Sequence, residues 1–113
     1  MTTSHVTTHI LDTATGKPAA GVPVSLHALV DGSWSEIGAA QTDSDGRVKE
    51  VGPEVLASGT YRLKFTTAEY FAARNTPAFF PEVVLTFTVD TNEPHYHIPL
   101  LLSPFSFSSY RGS

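Results

Sequence analysis

Residues 22–42 read VPVSLHALVDGSWSEIGAAQT, and this stretch decides the fold class. Val22, Val24, Leu26, Ala28 and Val30 recur at every second position, the period of a strand with one buried face. Asp31-Gly32 then supplies residues suited to a tight hairpin turn, so the chain reverses into a second strand over SWSEIGAAQT. Working outward, the same grammar repeats. SHVTTHILD (4–12) is extended, with His5, Thr7 and His9 on one face, and TATGKPAAG (13–21) is a loop of strand-breaking residues. DSDGR (43–47) is a turn from which RVKEV leaves extended. GTYRLKFTT (59–67) places Tyr61, Leu63 and Phe65 on one side, and EVVLTFTVD (82–90) places Val83, Leu85, Phe87 and Val89 on one side. PHYHIPLLL (94–102) continues the sheet, and SPFSFSSY (103–110) adds a short last strand.

One segment breaks the pattern. In TTAEYFAARN (66–75), Thr66 and Glu69 have capping-box spacing, and Asn75 and Pro77 supply a stop. The expectation is one short helix from about Ala68 to Arg74 beside seven or eight strands, an all-β two-sheet sandwich. Pro99 cannot donate to a ladder, so it fits an edge or bulge position.

Composition bounds the function. The 113 residues make a single domain, 1–113, with enough apolar residues (41%) for one core. Only 16% are charged, a hint that some surface is covered by a partner. A net charge of −4 argues against a nucleic-acid partner. The lack of cysteine removes disulfide and thiolate chemistry. No run is apolar and long enough to cross a membrane, and the N-terminus does not read as a signal peptide, which makes the cytoplasm the expected compartment.

The candidate chemistry lies in the histidines, at 5, 9, 27, 95 and 97. His95 and His97 share a face if their segment is a strand. Three readings are open for them: a solvated polar face, a zinc site completed by His9, or acid–base catalysis near neutral pH. His5 and His27 read as structural or surface residues. DSDGRV begins like a calcium loop, but Gly52 stands where such a loop needs glutamate. Arg47 is instead the first side chain after a rigid Asp-Gly turn, where its planar fork can hold carbonyl or anionic oxygens. No nucleophile elbow, phosphate loop or dinucleotide fingerprint is present.

Four stretches in order, THILDTATGKPAAGVPVSL (8–26), TDSDGRV (42–48), AEYFAARNTPAFFPEVVLTF (68–87) and HYHIPLLLSPFSFSSYRGS (95–113), resemble the transthyretin-like 5-hydroxyisourate hydrolases of purine degradation. The terminal Tyr-Arg-Gly-Ser is the most specific part and separates the hydrolases from transthyretin itself. The resemblance implies a transthyretin-like sandwich of eight strands and a homotetramer, built as a dimer of dimers with active sites at the dimer–dimer interface. It implies that 5-hydroxyisourate is hydrolysed to 2-oxo-4-hydroxy-4-carboxy-5-ureidoimidazoline without a cofactor or metal. It assigns catalysis to His9, Arg47 and His97. Substrate binding falls to His9, Arg47, His95, Tyr110, Arg111, Gly112 and Ser113, with Gly112 permitting a bend in the pocket wall. A hormone-carrier-like binding module and a zinc hydrolase using His9, His95 and His97 are the competing classes.

Overall fold

The alternating run becomes strand β3 (Pro23–Val30), whose antiparallel partner is β4 (Ser33–Gln41). The turn residues Asp31 and Gly32 have φ of 50° and 79°, the pair of positive values that a two-residue hairpin requires. The structure, a computed structural model, describes residues 3–112.

Two sheets pack face to face. The second sheet in chain order is wholly antiparallel: β4, β3, β6 (Gly59–Thr66) and β7 (Glu82–Val89). The first sheet has the order β2 (Lys17–Pro18), β1 (Val6–Asp12), β8 (Tyr96–Leu102), β9 (Phe107–Ser109). Strand β5 (Arg47–Val48) also pairs with β1. Strands β1 and β8 run parallel from Val6↔Tyr96 to Asp12↔Leu102, which joins the two ends of the chain. Among the described residues there are thus nine strands, two of them only two residues long.

The core fills the space between the sheets. Ile10 and Leu100 from the first sheet meet Leu26, Leu63 and Phe65 from the second, all buried. Each such side chain contributes about 1.5–3 kcal/mol by leaving water. Because strand side chains alternate, burying Val6, Thr8 and Ile10 turns Thr7 and His9 to the outer face. Burying Tyr96, Ile98 and Leu100 does the same for His97 and Leu101 on β8.

Four local expectations are corrected. The helix, α1, spans Ala68–Ala72, shorter than expected by its last turn. Its N-cap is Thr67 and makes no side-chain cap bond. Thr66 belongs to β6, and the first helical N–H groups are met from outside, with Ala68 N–H donating to the Pro81 carbonyl. The expected stop holds, since Asn75 takes φ 51°. Lys17–Pro18, read as loop, forms a short strand opposite Leu11 and Asp12. Pro99 lies in a strand with neighbours on both sides, yet at a break in one ladder. Strand β9 ends at the pair Leu100↔Ser109, the next bridge is His97↔Gly112, and Ser109 Oγ donates to the Pro99 carbonyl at 2.7 Å. The missing N–H therefore falls where no backbone partner is needed.

No helix among the described residues is long and apolar enough to cross a membrane.

Candidate active site

The site grows from a turn and two strands. Asp43 Oδ1 accepts hydrogen bonds from the Asp45 and Arg47 N–H groups, both at 2.9 Å, which closes the turn. Those bonds, with Arg47 first, hold the Asp43 carboxyl below its usual range despite some desolvation. Gly46 has φ 74°, and a Cβ there would lie 2.5 Å from the Ile10 carbonyl oxygen. The turn is therefore fixed in shape and pressed against β1. It delivers Arg47 opposite His9, and His9 in turn faces Pro99 on β8.

Two residues before His9 on the same strand face, Thr7 pairs with His97. The Thr7 hydroxyl lies 2.9 Å from His97 Nδ1 and 3.0 Å from His95 Nε2, so a single oxygen joins both imidazoles. Thr7 is buried, His97 half-buried and His95 exposed. Arg47, Lys49, His95, His97 and Thr7 line a recess of about 400 Å³ on the outer face of the first sheet. No Asp or Glu lines it. Burial lowers the His97 pKa below its ordinary value, and the positive Arg47, then His95 and His9, lower it further. These effects favour the neutral imidazole of His97, which has a lone pair on one nitrogen, in surroundings rich in hydrogen-bond donors.

The C-terminal segment divides. Gly112 N–H donates to the His97 carbonyl at 2.7 Å. A Cβ on Gly112 would come within 2.8 Å of His97 Cδ2. Gly112 does not have positive φ, so the expected bend is not its reason for being glycine; the contact with the imidazole is. Arg111 turns to Glu93 at 3.3 Å and stacks over the Tyr96 ring at 4.7 Å. Tyr110 is exposed, and with Arg111 it lines a different recess, between β7 and the edge formed by β8 and β9. Ser113 lies outside the described residues. Within one chain, then, His9, Arg47, His95, His97 and Gly112 gather on one face, while Tyr110 and Arg111 point elsewhere.

Residues 6–112 match the family model described as the HIUase/Transthyretin family. The chain belongs to this family. Relatives called 5-hydroxyisourate hydrolase include one from Salmonella dublin, 46% identical over 93% of this chain and 78% of that one. Another, from Caulobacter vibrioides, is 45% identical over 97% of this chain and 99% of its own. Among solved structures, 5-hydroxyisourate hydrolase of Klebsiella pneumoniae aligns with a TM-score of 0.85 at 34% identity, covering 97% of this chain and all of that one. Sea bream transthyretin in complex with thyroxine aligns at 0.91 with 29% identity, over 96% and 94% of the two chains. The backbone of the HIUase/Transthyretin family is thus shared by both namesakes, and a functional reading must rest on side chains.

The remaining histidines of this family member are structural, as the sequence suggests. His5 is buried: Nδ1 accepts from the Leu56 N–H at 2.8 Å, so Nε2 carries the proton and donates to the Glu93 carbonyl at 2.6 Å. His27 sits on the other sheet and pairs with the Ser25 hydroxyl. The zinc arrangement does not form. No group of three His, Cys, Asp or Glu side chains among the described residues is placed to hold a metal, and two of the nitrogens meet on Thr7 instead. Thr7 and Lys49 are the site residues that motif reasoning does not single out. For Thr7 the signal is its place on one strand face between His5 and His9; for Lys49 it is the step of two from Arg47.

Proposed function

We propose that the chain is a 5-hydroxyisourate hydrolase, acting in urate degradation and yielding 2-oxo-4-hydroxy-4-carboxy-5-ureidoimidazoline. The observation that carries the reading is the meeting of a neutral-biased histidine, a turn-fixed arginine and a second histidine in a recess without carboxylates. Relatives 45–46% identical that bear the hydrolase name support it.

The chemistry needs a base for water and positive charge for the carbonyl oxygen. His97 takes the proton as the water oxygen bonds to the ring carbonyl carbon. The oxygen becomes an oxyanion beside the Arg47 guanidinium. The carbon–nitrogen bond then breaks, and His97 returns the proton to the departing nitrogen. His9, in register between Arg47 and Pro99, orients substrate and water. A positioned base contributes about 10²–10⁴-fold, and one oxyanion donor about 10²–10³-fold. Water is the only co-reactant, so no cofactor enters.

The recess is open along one side in a single chain. In the proposed homotetramer, a dimer of dimers, the outer faces of two first sheets face each other across a channel. The partner then covers each recess, and Tyr110, Arg111 and Gly112 complete the walls. Mixing purified protein with freshly generated 5-hydroxyisourate and following the ultraviolet decay tests the activity. Decay no faster than the uncatalysed background rejects it.

A further inference from the structure

The Thr7 hydroxyl carries one proton and contacts two imidazole nitrogens. It can donate to only one of them. When both rings are neutral, the other nitrogen must therefore hold its own proton and donate to the Thr7 oxygen. The tautomers of His95 and His97 are thus locked to each other through Thr7. Two arrangements satisfy the geometry. In one, His97 Nδ1–H donates to Thr7, Thr7 donates to His95 Nε2, and His97 Nε2 is bare. In the other every proton is reversed, and His97 presents an Nε2–H.

We propose that Thr7 is a positioning residue that holds His97 in the Nδ1–H form, leaving Nε2 as the basic nitrogen of the site, with His95 as the far acceptor of the chain. This rests on the reading of His97 as the base. Three features select the arrangement. His97 Nδ1 is the nitrogen engaged by Thr7, and Nε2 has no hydrogen-bond partner among the described residues, so it is the one left for water. Gly112 packs against Cδ2, the carbon bonded to Nε2, and without a side chain it keeps that edge of the ring uncovered. Thr7 is buried and β-branched on a strand, so its χ1 is restricted and its hydroxyl is held toward the two imidazoles. The arrangement also gives the proton an outlet. After His97 Nε2 takes a proton from water, the Nδ1 proton can pass to Thr7 as the Thr7 proton passes to His95 Nε2. The positive charge then moves from the half-buried ring beside Arg47 to the exposed one. No atom is gained or lost in that exchange, and the reverse transfer restores the start.

The test uses full-length protein with ¹⁵N-labelled histidine, observed by two-bond proton–nitrogen correlation at about pH 8, where an ordinary imidazole of pKa ~6.5 is neutral. His97 is expected to show a protonated Nδ1 and a bare Nε2, opposite to the form that free histidine favours. Thr7→Val keeps the shape and removes the hydroxyl. It should move His97 toward the Nε2–H form and lower kcat about 10- to 100-fold, less than the roughly 10²–10⁴-fold worth of the base itself, with KM nearly unchanged. Thr7→Ser should keep both the tautomer and most of kcat. If Thr7→Val fails to fold, His95→Ala, at an exposed position, removes the far acceptor and should mix the His97 tautomers. An Nε2–H His97 in the unaltered protein overturns the proposal. So does a Thr7→Val enzyme with unchanged tautomer and unchanged kcat. Absence of 5-hydroxyisourate hydrolysis alongside the expected tautomers would reject the substrate and leave the Thr7 lock standing.

Discussion

The outer faces of the two sheets carry similar residues in opposite electrostatic settings. On the second sheet, His27, Arg62 and Lys64 line a shallow recess with Glu82 and Trp34. There Lys64 pairs with Glu82 at 3.6 Å, Arg62 lies 3.9 Å over the Trp34 ring, and His27 meets Ser25. Every cation is answered by a local partner. On the first sheet, Arg47, Lys49, His95 and His97 line their recess with no carboxylate among them. The salt bridges among the described residues, Lys64–Glu82 and Arg111–Glu93, lie elsewhere. Residue type alone does not make a site. In the proposed site, positive charge with no carboxylate lining the recess surrounds a half-buried imidazole, which favours the neutral base and suits a developing negative charge.

The contrast can be broken by substitution, and the largest effect is expected at the base. His97→Asn should lower kcat by about 10²–10⁴-fold with the fold intact by circular dichroism. Arg47→Ala should follow at about 10²–10³-fold, because it removes the oxyanion partner while the Asp43 cap of the turn remains. Gly112→Ala forces a Cβ to within 2.8 Å of His97 Cδ2. A ring displaced by about 1 Å can cost up to ~10²-fold, so steady-state kinetics on this variant measure how tightly the tail holds the base.

A smaller and sharper effect concerns pH. In the proposed reaction the neutral form of His97 is the active one, so activity is expected to fall as acid protonates it. With its pKa lowered by burial and by Arg47, that fall should come below the ordinary ~6.5 of a free imidazole. Arg47→Gln removes one of the lowering charges, so a proton-NMR titration should find His97 protonating at higher pH than in the unaltered protein. The smallest effect belongs to the other face. His27→Asn should leave kcat unchanged and move stability by no more than about 0.5 kcal/mol, read from thermal unfolding.

Much of this was legible in the sequence, where structure is local. The alternation at Val24, Leu26 and Ala28 became β3, and Asp31-Gly32 became the turn after it. The backbone of Arg47 after Asp-Gly emerged fixed by the turn, since a turn is written within five residues. What the sequence conceals is pairing at long range. The parallel registry of β1 with β8 sets Thr7 beside His97 across 90 residues, and no periodicity announces it. The capping-box spacing at Thr66 misled because β6 claims that residue and the Pro81 carbonyl meets the helix start. Gly112 suggests a bend from sequence because glycine permits one; its φ is not positive, and a Cβ there would meet the His97 ring.

The proposed hydrolytic site lies on the first sheet's outer face and not on its counterpart on the second. The most direct measurement compares three proteins on freshly generated 5-hydroxyisourate by ultraviolet decay: the unaltered chain, His97→Asn and His27→Asn. Rapid decay is expected with the unaltered and His27→Asn proteins, and decay near the uncatalysed rate with His97→Asn. Equal rates for all three, or a loss confined to His27→Asn, would contradict that placement.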